Sequence, residues 1–230
     1  MSDKDRYILA FDTTAFGVSV SVATIQGRLI STKFEIKPEN RSSKLFNLID
    51  ESLTEAGIGL KDIDFLCLAN GPGSFTGMRI GLAIAKSLSV NLGIETICVP
   101  TLRALAVEAT VMSKEHIWAL LPAGRGEMFM QCFRVENNSL FELTRQTIST
   151  VERLFEFKEL FSSVVFVGMF DDSLLNQFDK GVQFDHDWLI LNKPFPLSVG
   201  VVKLVVNGLS EGGKDFEKRL LPNYVRESLY

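Results

Sequence analysis

The residues best placed to do chemistry fall in one stretch, Asn70-Gly71-Pro72-Gly73-Ser74-Phe75-Thr76-Gly77-Met78-Arg79-Ile80-Gly81. An apolar run, Phe65-Leu66-Cys67-Leu68-Ala69, precedes it and reads as a buried strand, and Leu82-Ala83-Ile84-Ala85-Lys86-Ser87-Leu88 follows as a helix. A glycine turn opening a helix offers free N–H groups and the positive end of the helix dipole, so a bound phosphate is one reading. The spacing departs from both familiar phosphate loops. Gly77 is followed by Met78 instead of Lys, and a dinucleotide fingerprint needs glycine where Thr76 stands. A tight structural turn, with Ser74 or Thr76 capping the helix, is the plainer reading. Asp12 and Thr13 close the first apolar run, Tyr7-Ile8-Leu9-Ala10-Phe11. Together with Gly71, Gly73 and Ser74 they are the candidate nucleotide-proximal residues, either holding a metal–phosphate group or stabilising a turn.

Other chemistry is thin. His116 and His186 stand 70 positions apart, neither with a second ligand at metal-binding spacing, so no zinc or iron site is expected. Cys67, Cys98 and Cys132 lie in apolar, strand-like settings and read as reduced core residues. No serine sits in a Gly-x-Ser-x-Gly elbow. Asp171-Asp172 reads as a solvated turn, and Asp185-His186-Asp187 lies in a polar, irregular stretch that makes a poor acid–base cluster. No catalytic residue emerges.

The elements that would position these groups are readable in order. Residues 7–11, then the alternating Val18, Val20 and Val22, then 28–36 predict three strands, a meander with one face of the second strand buried. Ser42 or Ser43 can cap a helix over 44–56, stopped by Gly57. After the glycine turn and its helix come a strand at 94–99 and a helix from Pro100-Thr101 to about residue 112. The second half partly repeats this vocabulary: strands at 117–121 (broken at Pro122), 127–135 and 140–148, a helix or a helix plus loop over 150–161, strands at 164–168 and 187–191, and a helix over 199–209 capped by Ser198. Two similarly wound halves predict a duplicated α/β architecture with mixed sheets, divided as 1–105 and 106–230, the segment 198–230 being free to pack back on the first half.

Two helices carry the remaining signal. Gly77, Gly81 and Ala85 recur every fourth residue, a smooth strip that a second helix could approach closely, although glycine in a helix interior costs about 1 kcal/mol against alanine. Met78 and Leu82 extend the apolar surface, and Leu45, Ile49 and Leu53 with Phe46 form a stripe on the preceding helix. Burial in the chain's own core is the plainer reading of both.

Composition bounds the rest. With 230 residues, 46% hydrophobic and 23% charged, the chain has material for one large or two small globular domains. A net charge of −4 gives no general attraction for nucleic acid. The polar start Met1-Ser2-Asp3-Lys4-Asp5-Arg6 suggests no signal peptide, and no apolar run approaches the roughly 20 residues of a membrane helix. A cytoplasmic protein is expected.

The glycine stretch from Gly71 to Gly81 resembles the signature of the TsaB (YeaZ) family. Supporting stretches are Ile8-Leu9-Ala10-Phe11-Asp12-Thr13-Thr14, Pro100-Thr101-Leu102-Arg103-Ala104-Leu105-Ala106, Ala123-Gly124-Arg125-Gly126-Glu127-Met128-Phe129 and Pro222-Asn223-Tyr224-Val225-Arg226. The match is weak over 140–197. The resemblance implies an actin-like ATPase (ASKHA) fold of two related domains. It implies a non-catalytic partner subunit for threonylcarbamoyl transfer to adenosine 37 of tRNA, holding the catalytic subunit TsaD through the two N-terminal helices, with TsaE as a further partner and tRNA reached through the complex. Leu45, Phe46, Ile49, Leu53, Gly77, Met78, Gly81, Leu82 and Ala85 are then the expected partner-interface residues, and the same face could form a homodimer. No cofactor is expected on the chain alone; ATP or ADP at the complex interface stays open. Arg41 stands where members often have histidine, and Pro122 and Gly124 depart from an Asp-Ala-Arg-Arg pattern. The alternative is a stand-alone ATP-dependent enzyme of the actin-like kinase or ATPase group, with Asp12 and the glycine turn holding metal and phosphates. A peptidase fails for want of a nucleophile and of metal ligands.

Overall fold

A computed structural model describes residues 6–137, 139–155, 163–170, 172, 175–176, 187–210 and 219–225. The chain divides into two compact units, Met1–Ala104 with Phe195–Asn223, and Leu105–Pro194 with Tyr224–Tyr230.

In the first unit, β1 (Tyr7–Asp12), β2 (Gly17–Thr24) and β3 (Leu29–Ile36) form the meander, and β4 (Ile63–Ala69) and β5 (Glu95–Val99) join it in the order β3-β2-β1-β4-β5. The hairpin strands are antiparallel, while β1, β4 and β5 run parallel. Two helices make the crossovers: α1 (Arg41–Ala56) and α2 (Phe75–Leu92). Both pack on the sheet face presented by Leu9, Phe11, Val18, Val20, Val22, Leu66 and Leu68. The opposite face receives α5 (Leu197–Ser210), which contacts β1, β2, β4 and β5. That second cover corrects the expectation for β2, whose residues are buried on both faces. Its inward serines are satisfied by α5: Ser21 and Ser198 hydroxyls lie 2.8 Å apart, and the Ser198 amide donates to Ser19 Oγ at 3.0 Å. Ser198 is therefore the second residue of α5 and not its cap.

Helix ends follow local chemistry. Asn40, not Ser42 or Ser43, caps α1, its Oδ1 accepting from the Ser43 amide at 3.0 Å. Asn40 precedes the first helical turn, where donors lack partners, whereas both serines already lie inside the helix. Gly57 and Gly93 end α1 and α2 in the left-handed conformation that glycine adopts without strain.

The second unit repeats the plan. Strands β6 (His116–Gly124), β7 (Glu127–Glu136), β8 (Ser139–Glu142), β10 (Ser163–Gly168) and β11 (Asp187–Asn192) run in the order β11-β10-β6-β7-β8, and β9 (Thr147–Ser149) also pairs with β7. Again the hairpin strands are antiparallel and the last strands parallel. The core holds Trp118, Leu120, Met128, Met130, Leu154 and Phe166. Three details differ from expectation. The strand expected over 140–148 is two, β8 and β9, because Leu143 and Thr144 turn back to donate to the Cys132 carbonyl. Strand β6 runs through Pro122, which it can because beyond Leu120 it pairs with β7 alone and a missing N–H costs nothing on the open edge. The helix from Thr101 is α-helical only to Ala106 (α3), then 3-10 over Val107–Met112. Helix α4 (Val151–Phe155) opens the stretch expected as a helix over 150–161, the remainder of which lies outside the described residues. Asp171, Asp185, His186 and Arg226 lie outside them too.

Candidate functional site: the glycine turn and its helix pair

Asp12 ends β1 and is buried. Its Oδ1 accepts from the Thr14 amide at 2.8 Å and the Thr14 hydroxyl at 2.5 Å, and Oδ2 accepts from the Ala15 amide at 3.3 Å. Burial pushes the carboxyl above its ordinary range; the Thr14 and Ala15 hydrogen bonds and the Arg41 charge pull the other way. The Thr14 hydroxyl lies 3.0 Å from that of Thr101, which accepts from the Gly71 amide at 2.9 Å. The Thr14 carbonyl accepts from the Ser74 amide at 2.8 Å, and Thr13 donates to the Gly77 carbonyl at 2.7 Å. Arg41, the first residue of α1, donates from Nη1 to the carbonyls of Thr13 at 3.0 Å and Gly17 at 2.5 Å. The loop after β1, the glycine turn and the starts of three helices thus form one polar knot.

Sterics make the same point. Gly71 and Gly73 have φ of +114° and +152°. A Cβ on Gly73 would stand 2.4 Å from the Thr14 carbonyl oxygen, and one on Gly77 only 1.9 Å from that of Thr13. Ser74 caps α2, accepting from the Gly77 amide at 3.1 Å. The expected nucleotide-proximal set, Asp12, Thr13, Gly71, Gly73 and Ser74, is therefore brought together. Its donors and acceptors serve the chain's own backbone, as in the turn-stabilising reading.

The expected interface residues are placed differently. Leu45, Ile49, Leu53, Met78, Leu82 and Ala85 are buried, and Gly77 and Gly81 face Thr13, so they pack on the chain's own sheet and first turn. The Gly77-Gly81-Ala85 strip thus follows the plainer, core reading: the close approach that required glycine is to the Thr13 backbone and side chain. Phe46 alone of the set is exposed, at 53%. The outward faces of the same two helices carry Phe46, Asn47 and Asp50 on α1, and Thr76, Ala83, Ser87 and Val90 on α2. Small residues at 76, 83 and 87 share this face with exposed Phe75, Arg79 and Lys86, the Arg79 guanidinium lying over the Phe75 ring at 4.1 Å. Sequence reasoning gave no role to Arg41, Thr101 and Asn223, although Thr101 and Asn223 lie in stretches that carry the family resemblance; each acts on backbone far away in sequence, so local pattern could not assign the contact.

Among the described residues no group of His, Cys, Asp and Glu is placed to hold a metal ion. No described helix is long and apolar enough to cross a membrane.

Residues 35–169 match the family model described as TsaD: tRNA N6-adenosine threonylcarbamoyltransferase. A protein of Buchnera aphidicola subsp. Schizaphis graminum, named tRNA threonylcarbamoyladenosine biosynthesis protein TsaB, is 32% identical over 63% of this chain and 68% of its own length. The chain belongs to the TsaB family. The Escherichia coli TsaB is 31% identical over 58% of this chain, and the matched stretch spans 58% of that relative. YeaZ from Pseudomonas aeruginosa superposes with a TM-score of 0.76 at 20% identity, covering 96% of this chain and all (100%) of that one, a likeness of fold. A Listeria monocytogenes protein described as a candidate N-acetylmannosamine kinase shares the fold at TM-score 0.50 and 13% identity, over 90% of this chain and 99% of that one. Both α/β units with their mixed sheets thus make the actin-like ATPase fold of this TsaB-family chain.

Proposed function

We propose that this chain is a non-catalytic partner subunit required for threonylcarbamoyl transfer to adenosine 37 of tRNA, holding the catalytic subunit TsaD in a competent state through α1 and α2. Family membership supports the pathway. The observation that carries the scaffolding role is the helix pair itself: two long, capped helices, fixed on one sheet, each with an exposed aromatic, Phe46 on α1 and Phe75 on α2, among polar and small residues. Two such helices from each partner can pack as a four-helix bundle. In this reading TsaE is the third protein, tRNA is reached through the complex, ATP or ADP binds at the complex interface if at all, and the work is cytoplasmic. The same face pairs two copies of the chain when TsaD is absent. The alternative, a stand-alone ATP-dependent enzyme, would have to free Asp12 from Thr14 and Ala15.

The test is binding and tRNA modification with the same organism's TsaD. Ala83→Arg and Phe46→Asp, both on exposed positions, should leave the chain folded and weaken TsaD binding about 30-fold or more, as loss of an interface hot spot does. Modification should fall in parallel. Undiminished binding by both folded variants would place the interface elsewhere. ATP turnover by the isolated chain, abolished by Asp12→Ala, would favour the enzyme.

A further inference from the structure

The end of the chain returns to the glycine turn. The Asn223 amide donates to the Asn70 carbonyl at 2.8 Å, and Asn223 Nδ2 donates to the Gly71 carbonyl at 3.2 Å. In return Asn70 Nδ2 donates to the Leu221 carbonyl at 3.1 Å. Leu220 anchors this segment on the hydrophobic cluster beneath α1 and α2. The contact is close: a Cβ on Gly71 would stand 2.7 Å from the Asn223 carbonyl oxygen and 2.4 Å from Met78 Sδ. Gly71 is therefore held between the returning chain and the first turn of α2.

This clasp acts where the backbone is otherwise freest. Two glycines at positive φ within three residues lose much conformational entropy when fixed, and only Pro72 between them is stiff by itself, so the turn relies on what Gly71 and Gly73 are bonded to. Thr14 and Thr101 supply the bonds from one side; Asn223 supplies them from more than 150 residues away. We infer that residues 220–223 form a strap that fixes the glycine turn and hence the start of α2, with Asn223 as a positioning residue. On the proposed reading of α2 as a partner helix, TsaD binding depends on a segment outside the exposed helix face.

Hydrogen exchange on the full chain tests this. The Gly77 and Met78 amides bond to the Ser74 hydroxyl and carbonyl and report the first turn of α2. In Asn223→Ala, and separately in Asn70→Ala, their exchange should accelerate about tenfold, the equivalent of one lost hydrogen bond, while amides of the β1–β4 ladder and of α5 keep their rates. The dissociation constant for TsaD should rise about three- to tenfold in the same variants. Unchanged exchange at 77 and 78, or uniform acceleration through the unit, would overturn the strap. Faster exchange with an unchanged dissociation constant would sever it from partner binding. If the unsubstituted chain does not bind TsaD, the partner reading fails, and the exchange result still decides the strap.

Discussion

The two units wind their sheets in the same order and direction, yet treat the first turn of the sheet in opposite ways. After β1 the chain buries Asp12, Thr13 and Thr14 and ties them to the glycine turn, Thr101 and Arg41. After β6 it makes an exposed two-residue hairpin, Arg125 and Gly126 both at positive φ, the type I′ geometry that suits strand twist. Pro122 and Gly124 are part of that hairpin design and supply no carboxylate. The difference teaches where the first unit spends its polar groups: on fixing the helix starts. The proposed partner role would require the same.

Matched glycine substitutions would break the comparison most sharply. Gly77→Ala should destabilise by about 3 kcal/mol, because overpacking against the Thr13 backbone outweighs the roughly 1 kcal/mol that alanine gains in a helix. Gly126→Ala in the second unit, where a Cβ meets nothing within 4 Å, should cost only about 1 kcal/mol, from its φ of +79°. Denaturant midpoints measure both, and equal losses would erase the asymmetry. Next in size is Arg41→Ala. Removing charged hydrogen bonds to two carbonyls should cost about 2 kcal/mol, and a change within error would mean that the loop after β1 holds its shape unaided.

The pH dependence is smaller and has a definite sign. The folded pKa of Asp12 is raised, so the native state holds its proton where the unfolded chain has lost it. Its contribution is complete below the ordinary carboxylate pKa and lost as pH rises through the raised value. Asp12→Asn should remove that downward slope: stability of the original chain relative to the variant falls as pH climbs through this window. A relative stability rising with pH would mean that hydrogen bonds and Arg41 outweigh burial.

Much of the architecture was legible because apolar runs and glycine stops are local signals. Strands β1, β4, β5, β6 and β10 and helices α1 and α2 all follow from such runs. The direction of the α2 strip was not. Periodicity shows that Gly77, Gly81 and Ala85 share a face, but not whether that face meets a foreign helix or the chain's own Thr13. Burial of Ser19 and Ser21 was equally hidden, since it depends on α5, some 177 residues later. The knot itself was half legible. Asp12 and the glycine turn stood out by type; Arg41, Thr101 and Asn223 joined them only through the fold.

The two units should also differ in how easily each opens, and one cysteine in each can read it. Cys67 sits on β4, paired on both sides by β1 and β5. Cys132 sits on β7, flanked on one side only by the short strands β8 and β9. Burial raises both thiols, Cys67 well above its usual range and Cys132 to about 12. Near neutral pH both thiols are held almost wholly protonated in the closed state. Reaction with an alkylating reagent therefore proceeds through local opening. Fraying of two short edge strands costs less than parting a paired inner strand, so Cys132 should be modified a few-fold faster than Cys67 in the native chain. Mass spectrometry of partially labelled protein measures the ratio. Faster labelling of Cys67 would mean that the first unit, despite its knot, is the looser of the two.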